Sequence, residues 1–391
     1  MKLAICFTTF GPYHLARLRA LASELAARGS ELIAYEVAGS ERTWPWERRD
    51  GGESYRRTTL FPERVLESLS PSECRLALTD ALDRDRPDAV GLVGYVRPES
   101  IAGARWARSA DRPSILMSES QAIDRPHTWW KELIKKRRVK LFDAGLVGGP
   151  SHRDYLVELG MPAERIALGY NAVDNDFFAQ RARDARDTSL ADEGLPKSPY
   201  FLSVCRFAPE KNLIRLIESF SRYRRQETST KPWDLVLIGD GPQAAEVASA
   251  VRQSGCAHAI HRPGFLQADQ LPPWYAHASA FVLASVSEPW GLVVNEAAAA
   301  ELPLLVSSRA GCSATLIPDG GVPTGARFDP LESEDIAAKL CWMAGLPDDD
   351  RRAMGRRAAE VVEDWGPERF ARGMLEALEL ANSQELIKSC S

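Results

Sequence analysis

The chain has 391 residues, 45% of them hydrophobic and 26% charged, with a formal net charge of −5. That length exceeds what one hydrophobic core usually fills, so two domains are expected, and the acidic balance excludes a nucleic-acid binder working through overall positive charge. Seven cysteines (Cys6, Cys74, Cys205, Cys256, Cys312, Cys341 and Cys390) are widely spaced and contain no C-x-x-C, which argues against a disulfide framework or a zinc site and for a reducing, cytoplasmic setting.

The opening MKLAICFTTFGP is too short in apolar length for a signal peptide and reads as a first buried strand, LAICF at 3–7. A turn at Gly11-Pro12 follows, then a helix with Leu15, Leu18, Leu21 and Leu25 on its inner face. Further strands are read in ELIAYEV (31–37), DAVGLVG (88–94), SILM (114–117) and AGLVGG (144–149). Residues 181–199 are charged, lack apolar periodicity and end in proline, so they read as a linker. The rhythm then restarts with strands at YFLSVCR (200–206), WDLVLIG (233–239), AIHRPG (259–264), AFVLAS (280–285) and LPLLVSS (302–308). Helices are read between them at 212–223, 271–278 and 292–300, then near 333–345 and over 367–388. This alternation predicts an α/β fold of two Rossmann-like, doubly wound domains facing a cleft. The expected boundaries are 1–180, a linker at 181–199, a second domain at 200–365, and a helical segment, 366–391, packing back on the first domain. No run of 18 apolar residues exists to span a bilayer.

Chemistry concentrates in SEPWGLVVNEAAAAELPLLVSSRAG (287–311). A strand ends, a tight turn follows, and a helix starts near Leu292, which exposes backbone N–H groups as an anion site for phosphate. Glu288 suits sugar hydroxyls, and Glu296, eight residues on, suits a ribose diol. In isolation the same pair reads as a helix cap and a solvated residue. In CRFAPEKN (205–212), Arg206 leaves a strand end and Lys211 opens the next helix, so two cations can clamp a diphosphate and stabilise charge on a departing phosphate.

With LIGDGP (237–242), RPGFL (262–266) and LPPWYAHASAFVLAS (271–285), these pieces resemble the family-4 retaining glycosyltransferases of the GT-B fold, in order and over residues 200–365. The resemblance implies Arg206 and Lys211 on the diphosphate, Glu288 on the transferred sugar, the backbone of Trp290, Gly291, Leu292 and Val293 on the phosphate or the sugar, and Glu296 on ribose. It places Gly264, Phe265 and Leu266 along the base pocket and Gly239 and Gly241 at the adjacent turn. It also implies no cofactor and no metal, since the two cations replace one. Cys205 departs from the glycine that relatives commonly carry.

The first half resembles the family more loosely. In TTFGPYHLARLRAL (8–21), Gly11 is the candidate for close approach to the donor sugar, and His14 is a contact to donor or acceptor or a helix-start residue. Relatives often place a histidine after a strand like SILM; here Ser118-Glu119-Ser120-Gln121 stands there, and Glu119 or Ser120 is the substitute. Asn171, Val173 and Asp174 read as structural.

The expected reaction moves a sugar from a nucleotide diphosphate sugar, UDP first and GDP next, to an unidentified hydroxyl acceptor in a polysaccharide, glycolipid or small glycoside. The rivals are a nucleotide-sugar epimerase and a non-catalytic sugar- or nucleotide-binding protein. HTWWKELIKKRRVKLF (127–142) mixes paired tryptophans with six basic residues. It reads either as a solvated basic face with aromatic packing or as a peripheral contact with the inner face of a membrane.

Overall fold

The computed structural model describes residues 1–43, 46, 53–124, 128–187, 194–226 and 232–389. Chain contacts divide it into two units, Met1–Val173 with Gly366–Ser391, and Asp174–Trp365.

The first unit runs β1 (Lys2–Phe7), α1 (Pro12–Ala27), β2 (Glu31–Ser40), β3 (Arg56–Val65), α2 (Pro71–Asp85), β4 (Ala89–Val93), α3 (Pro98–Ser109), β5 (Ser114–Ser118), α4 (Trp129–Val139), β6 (Ala144–Val147), α5 (Pro150–Glu158) and β7 (Ile166–Leu168). All strands are parallel, in the order β3-β2-β1-β4-β5-β6-β7. Parallel strands are covered on both faces, so their side chains are apolar almost without alternation. In β1, Leu3, Ile5 and Phe7 join one core while Ala4 and Cys6 join the other. Each fully buried leucine or phenylalanine contributes about 1.5–3 kcal/mol.

The second unit runs α6 (Asn175–Arg186), β8 (Tyr200–Val204), α7 (Leu213–Gln226), β9 (Asp234–Ile238), α8 (Ala244–Gln253), β10 (Ile260–Gly264), α9 (Pro272–His277), β11 (Ala280–Leu283), α10 (Leu292–Ala299), β12 (Leu304–Ser307), α11 (Ser313–Leu316), β13 (Gly325–Phe328), α12 (Ser333–Gly345) and α13 (Asp348–Glu363). Its sheet, also parallel, has the order β10-β9-β8-β11-β12-β13. Both sheets therefore reverse direction beside their first strand, between β1 and β4 and between β8 and β11. Open α/β sheets hold ligands outside the carboxyl ends of the strands at such a reversal. The last helix, α14 (Pro367–Ser389), belongs to the first unit, where Phe370, Met374 and Leu378 share a core with Leu3, Leu18 and Met117.

The division falls at Val173 rather than at 180. Asp174 caps α6 by accepting the Phe177 N–H at 3.1 Å, and Phe178 stacks edge-on to Tyr275 at 5.9 Å, so this helix is rooted in the second unit. Residues 181–186, read as the start of a linker, are its last turns, and 188–193 lie outside the described residues. Strands β3, β7 and β13 and helices α6, α8, α11 and α13 were not expected. β3 is an edge strand with Arg56, Arg57 and Pro62, tolerated because one side has no neighbour.

Candidate active site

The end of β8 is fastened to the turn after β9. Cys205 N–H donates to Ile238 O at 3.0 Å, and Phe207 N–H donates to Asp240 O at 2.8 Å. Gly239 makes this approach possible. It has φ +139°, and a Cβ there would sit 1.9 Å from the Cys205 carbonyl oxygen. Gly241 follows against Phe207, and Gly239 N–H donates to Gly264 O at 2.9 Å, which brings the end of β10 with Gly264, Phe265 and Leu266 to the same turn. Burial pushes the Cys205 thiol up to about 12, against the pull of Lys211, so this position holds a neutral thiol.

After Cys205 the chain makes one 3-10 turn, Pro209–Lys211, ended by Asn212 with φ +58°. The Asn212 amide donates to Ala284 O at 3.1 Å and to Pro330 O at 2.8 Å, and Val286 N–H donates to Glu210 O at 2.9 Å. These bonds stitch the loop after β8 to the loop after β11. The result is contact between the two residues that matter most. Lys211 Nζ lies 2.5 Å from Glu288 Oε2, and Ser285 Oγ donates to the same oxygen at 3.0 Å. Both charged side chains are about nine-tenths buried, at 11% and 10% exposed. Burial is the largest influence on Lys211 and lowers its pKa, but the Glu288 carboxylate, with smaller help, outweighs it and holds the lysine above its ordinary value. Arg206 stands on the same turn and is more open, paired with Glu210 at 2.9 Å.

Glu288 also anchors the entry to α10. Gly311 N–H donates to Glu288 O at 3.0 Å and Cys312 N–H to Trp290 O at 3.1 Å. Gly291, at φ +98°, turns the chain into the helix, so the first N–H groups at Leu292 and Val293 follow directly. Trp290 offers backbone alone. Its ring is buried, stacks on Trp365 at 4.7 Å, and donates Nε1–H to Asn295 at 2.9 Å. Glu296 is completely buried, and its Oε2 accepts the Tyr275 hydroxyl at 2.6 Å. The eight-residue spacing therefore separates two carboxylates into unlike surroundings, and as placed Glu296 presents no surface to a ribose.

In the first unit, the Gly11 N–H donates to His14 Nδ1 at 3.1 Å, and the His14 ring packs on Phe7 at 4.3 Å. Burial, followed by the nearby Arg17 charge, pushes His14 down to about 3, so the ring is neutral with its proton on Nε2. Glu119, exposed past the end of β5, accepts the Asn171 amide at 2.9 Å, while the half-buried Ser120 donates its N–H to Ser118 Oγ at 3.3 Å. Ser285 and Tyr275 were given no role from the sequence, and Asn171 only a structural one; each hydrogen-bonds a carboxylate named there, at 3.0, 2.6 and 2.9 Å. Among the described residues, no group of three or more His, Cys, Asp or Glu side chains is placed to hold a metal, and no helix is long and apolar enough to cross a membrane.

Residues 185–361 match the family described as glycosyl transferases group 1. The sulfoquinovosyl transferase SQD2 of Arabidopsis thaliana is 30% identical over 217 residues, 54% of this chain and 40% of that protein. The glycogen synthase of Mycobacterium tuberculosis is 32% identical over 283 residues, 70% of this chain and 63% of that protein. The chain thus spans less than two thirds of the length of either relative. The crystal structure of Anabaena Alr3699/HepE in complex with UDP and glucose superposes with a TM-score of 0.70 at 15% identity, covering 97% of this chain and 99% of that one. That likeness shows the fold, GT-B.

Proposed function

We propose, from the premise that residues 185–361 belong to the glycosyl transferases group 1 family, that this chain is a retaining, metal-independent glycosyltransferase using a nucleotide diphosphate sugar. The observation that carries the reading is the Lys211–Glu288 pair, 2.5 Å apart at the sheet reversal of the second unit and next to the start of α10. A pyrophosphate set there meets the Lys211 ammonium, the Arg206 guanidinium and the free N–H groups of Leu292 and Val293. Its oxygens compete with Glu288 for Lys211, which frees the carboxylate to accept hydroxyls of the transferred sugar. The two cations supply the countercharge that a divalent metal would otherwise supply.

In the retaining step, the bond between the anomeric carbon and the phosphate oxygen breaks as the acceptor oxygen bonds to that carbon on the same face. The acceptor proton passes to the departing phosphate. Glu296 remains the candidate for the ribose, a role that requires Tyr275 to give way. UDP is the first donor to try and GDP the second; the Anabaena structure was solved with UDP and glucose. The acceptor is a hydroxyl compound.

The test is a donor screen by thermal shift, followed by product analysis. A UDP- or GDP-sugar raises the unfolding midpoint, the product keeps the donor's anomeric configuration, and activity survives a chelator. Glu288→Gln and Lys211→Met each lower kcat/KM by about a thousandfold. An inverted product removes the retaining assignment, and an epimerised donor formed without acceptor replaces transfer by isomerisation. Undiminished activity in both variants ends the site assignment.

A further inference from the structure

Helix α4 is turned inside out for a helix resting on a soluble domain. At about 100° per residue, Trp129, Leu133, Trp130 and Ile134 fall on one arc. That arc faces away from the domain: these side chains are 79%, 45%, 46% and 39% exposed. The opposite side carries the groups that tie α4 down. Val139 is buried, and Lys135 Nζ bonds Glu132 Oε1 at 2.7 Å and the Tyr155 hydroxyl at 2.7 Å. An ordinary surface helix would place its apolar stripe inward and its charges outward. Here the acid is turned toward the domain and the tryptophans away from it.

The outer face has a single charge sign. Lys131, Lys136 and Arg137 are exposed among the apolar residues, Lys140 continues them, and Glu132, the one acid of α4, is engaged by Lys135. Lys131 Nζ lies 5.4 Å from the Trp130 ring centroid, so cation and indole share one patch. An apolar arc with aromatic side chains and interleaved cations matches the boundary of an anionic bilayer, where indoles sit at headgroup level and basic side chains meet phosphates.

We propose that α4 is a docking helix for an anionic lipid surface. It lies flat, with Trp129, Trp130, Leu133 and Ile134 in the boundary region and Lys131, Lys136 and Arg137 against the headgroup phosphates. Of the 127–142 segment singled out in the sequence, residues 128–142 are described and carry this geometry. The docking stands or falls independently of the transfer reaction, which is assayed with soluble donor.

The full chain is sedimented with vesicles of phosphatidylcholine alone and with vesicles of equimolar phosphatidylcholine and phosphatidylglycerol. It is expected to bind only the mixed vesicles, less so as salt is raised. Replacing Lys131, Lys136 and Arg137 by Gln weakens partition roughly a hundredfold, since each basic side chain near the surface is worth about a factor of five. Trp129→Ser with Trp130→Ser abolishes the binding that persists at high salt. Lys135 is left in place because it holds α4 to Tyr155, and both variants keep the wild-type unfolding midpoint. A wild type that ignores anionic vesicles at low salt, or variants that bind as it does, overturns the proposal. So does self-association lost on tryptophan replacement in a chain that binds no vesicles, which assigns the face to a second copy.

Discussion

The two units repeat one strand order, yet the loops that leave their first strands have opposite electrical character. After β8, Lys211 is nine-tenths buried and remains charged because Glu288 stands against it. After β1, His14 is pushed down to about 3 by burial and by Arg17, and its Nδ1 is occupied by the Gly11 N–H. One strand end is organised around charge, the other around a neutral hydrogen-bonding ring. The same topology thus offers two kinds of recognition: the second unit suits an anion, and the neutral Nε2–H of His14 suits an uncharged hydroxyl or carbonyl. On the proposed function, the sheet reversal sets where the donor sits, while one neighbouring side chain decides what kind of group meets it.

The sharpest way to break this contrast is to remove one charge from the buried pair. Lys211→Met leaves a nine-tenths-buried carboxylate at Glu288 without its cation, and Glu288→Gln leaves a buried ammonium without its counter-charge. Each single variant is expected to lose about 3–5 kcal/mol of unfolding free energy, and the double variant less than the sum. Denaturant unfolding of the four proteins closes the cycle. Strictly additive losses would mean that the two groups do not act as a pair.

A second intervention targets the backbone that places Lys211. Gly239→Ala sets a methyl group 1.9 Å from the Cys205 carbonyl oxygen at φ +139°, so either β8 or the turn after β9 must move. The expected cost is about 3 kcal/mol, with donor affinity falling as well. Full stability in the alanine variant would mean that the two turns are not locked together.

Much of the second unit was legible because its motifs are local. CRFAPEKN and SEPWGLVVNEA hold Arg206, Lys211, Glu288 and Glu296 within short stretches bounded by apolar runs, and the family resemblance those stretches carry assigned Lys211 and Glu288 to one donor site; the structure sets them at the ends of neighbouring strands. What spacing could not supply was the partner of each group. Tyr275 reaches Glu296 from 21 residues away and closes it off, and Glu210 engages Arg206. The first unit was harder to read because its polar contacts are long-range. Asn171 meets Glu119 across 52 residues, and Arg17 Nε donates to Ala172 O across 155. Edge strand β3 escaped notice because a strand paired on one side need not be apolar.

The smallest effect expected is also the one that probes the first unit's neutral ring. His14 has an ordinary value of 6.5 and a folded value of about 3, so the folded state refuses a proton that the unfolded chain accepts. The sign follows from that difference. The contribution of His14 to stability is fully present above about 6.5 and is lost as pH falls toward 3. Between those limits the slope from this residue approaches about 1.4 kcal/mol per pH unit. At pH 5.5 the wild type is therefore expected to have lost about 1 kcal/mol relative to pH 7.5 on this account. Carboxylates titrating in the same range are common to wild type and His14→Asn, so the difference between their pH profiles isolates the imidazole. The variant should show the shallower fall between pH 6.5 and 5. Parallel profiles would mean that His14 takes its proton in the folded state as readily as in the unfolded one, and the contrast between the two strand ends would then be one of sequence alone.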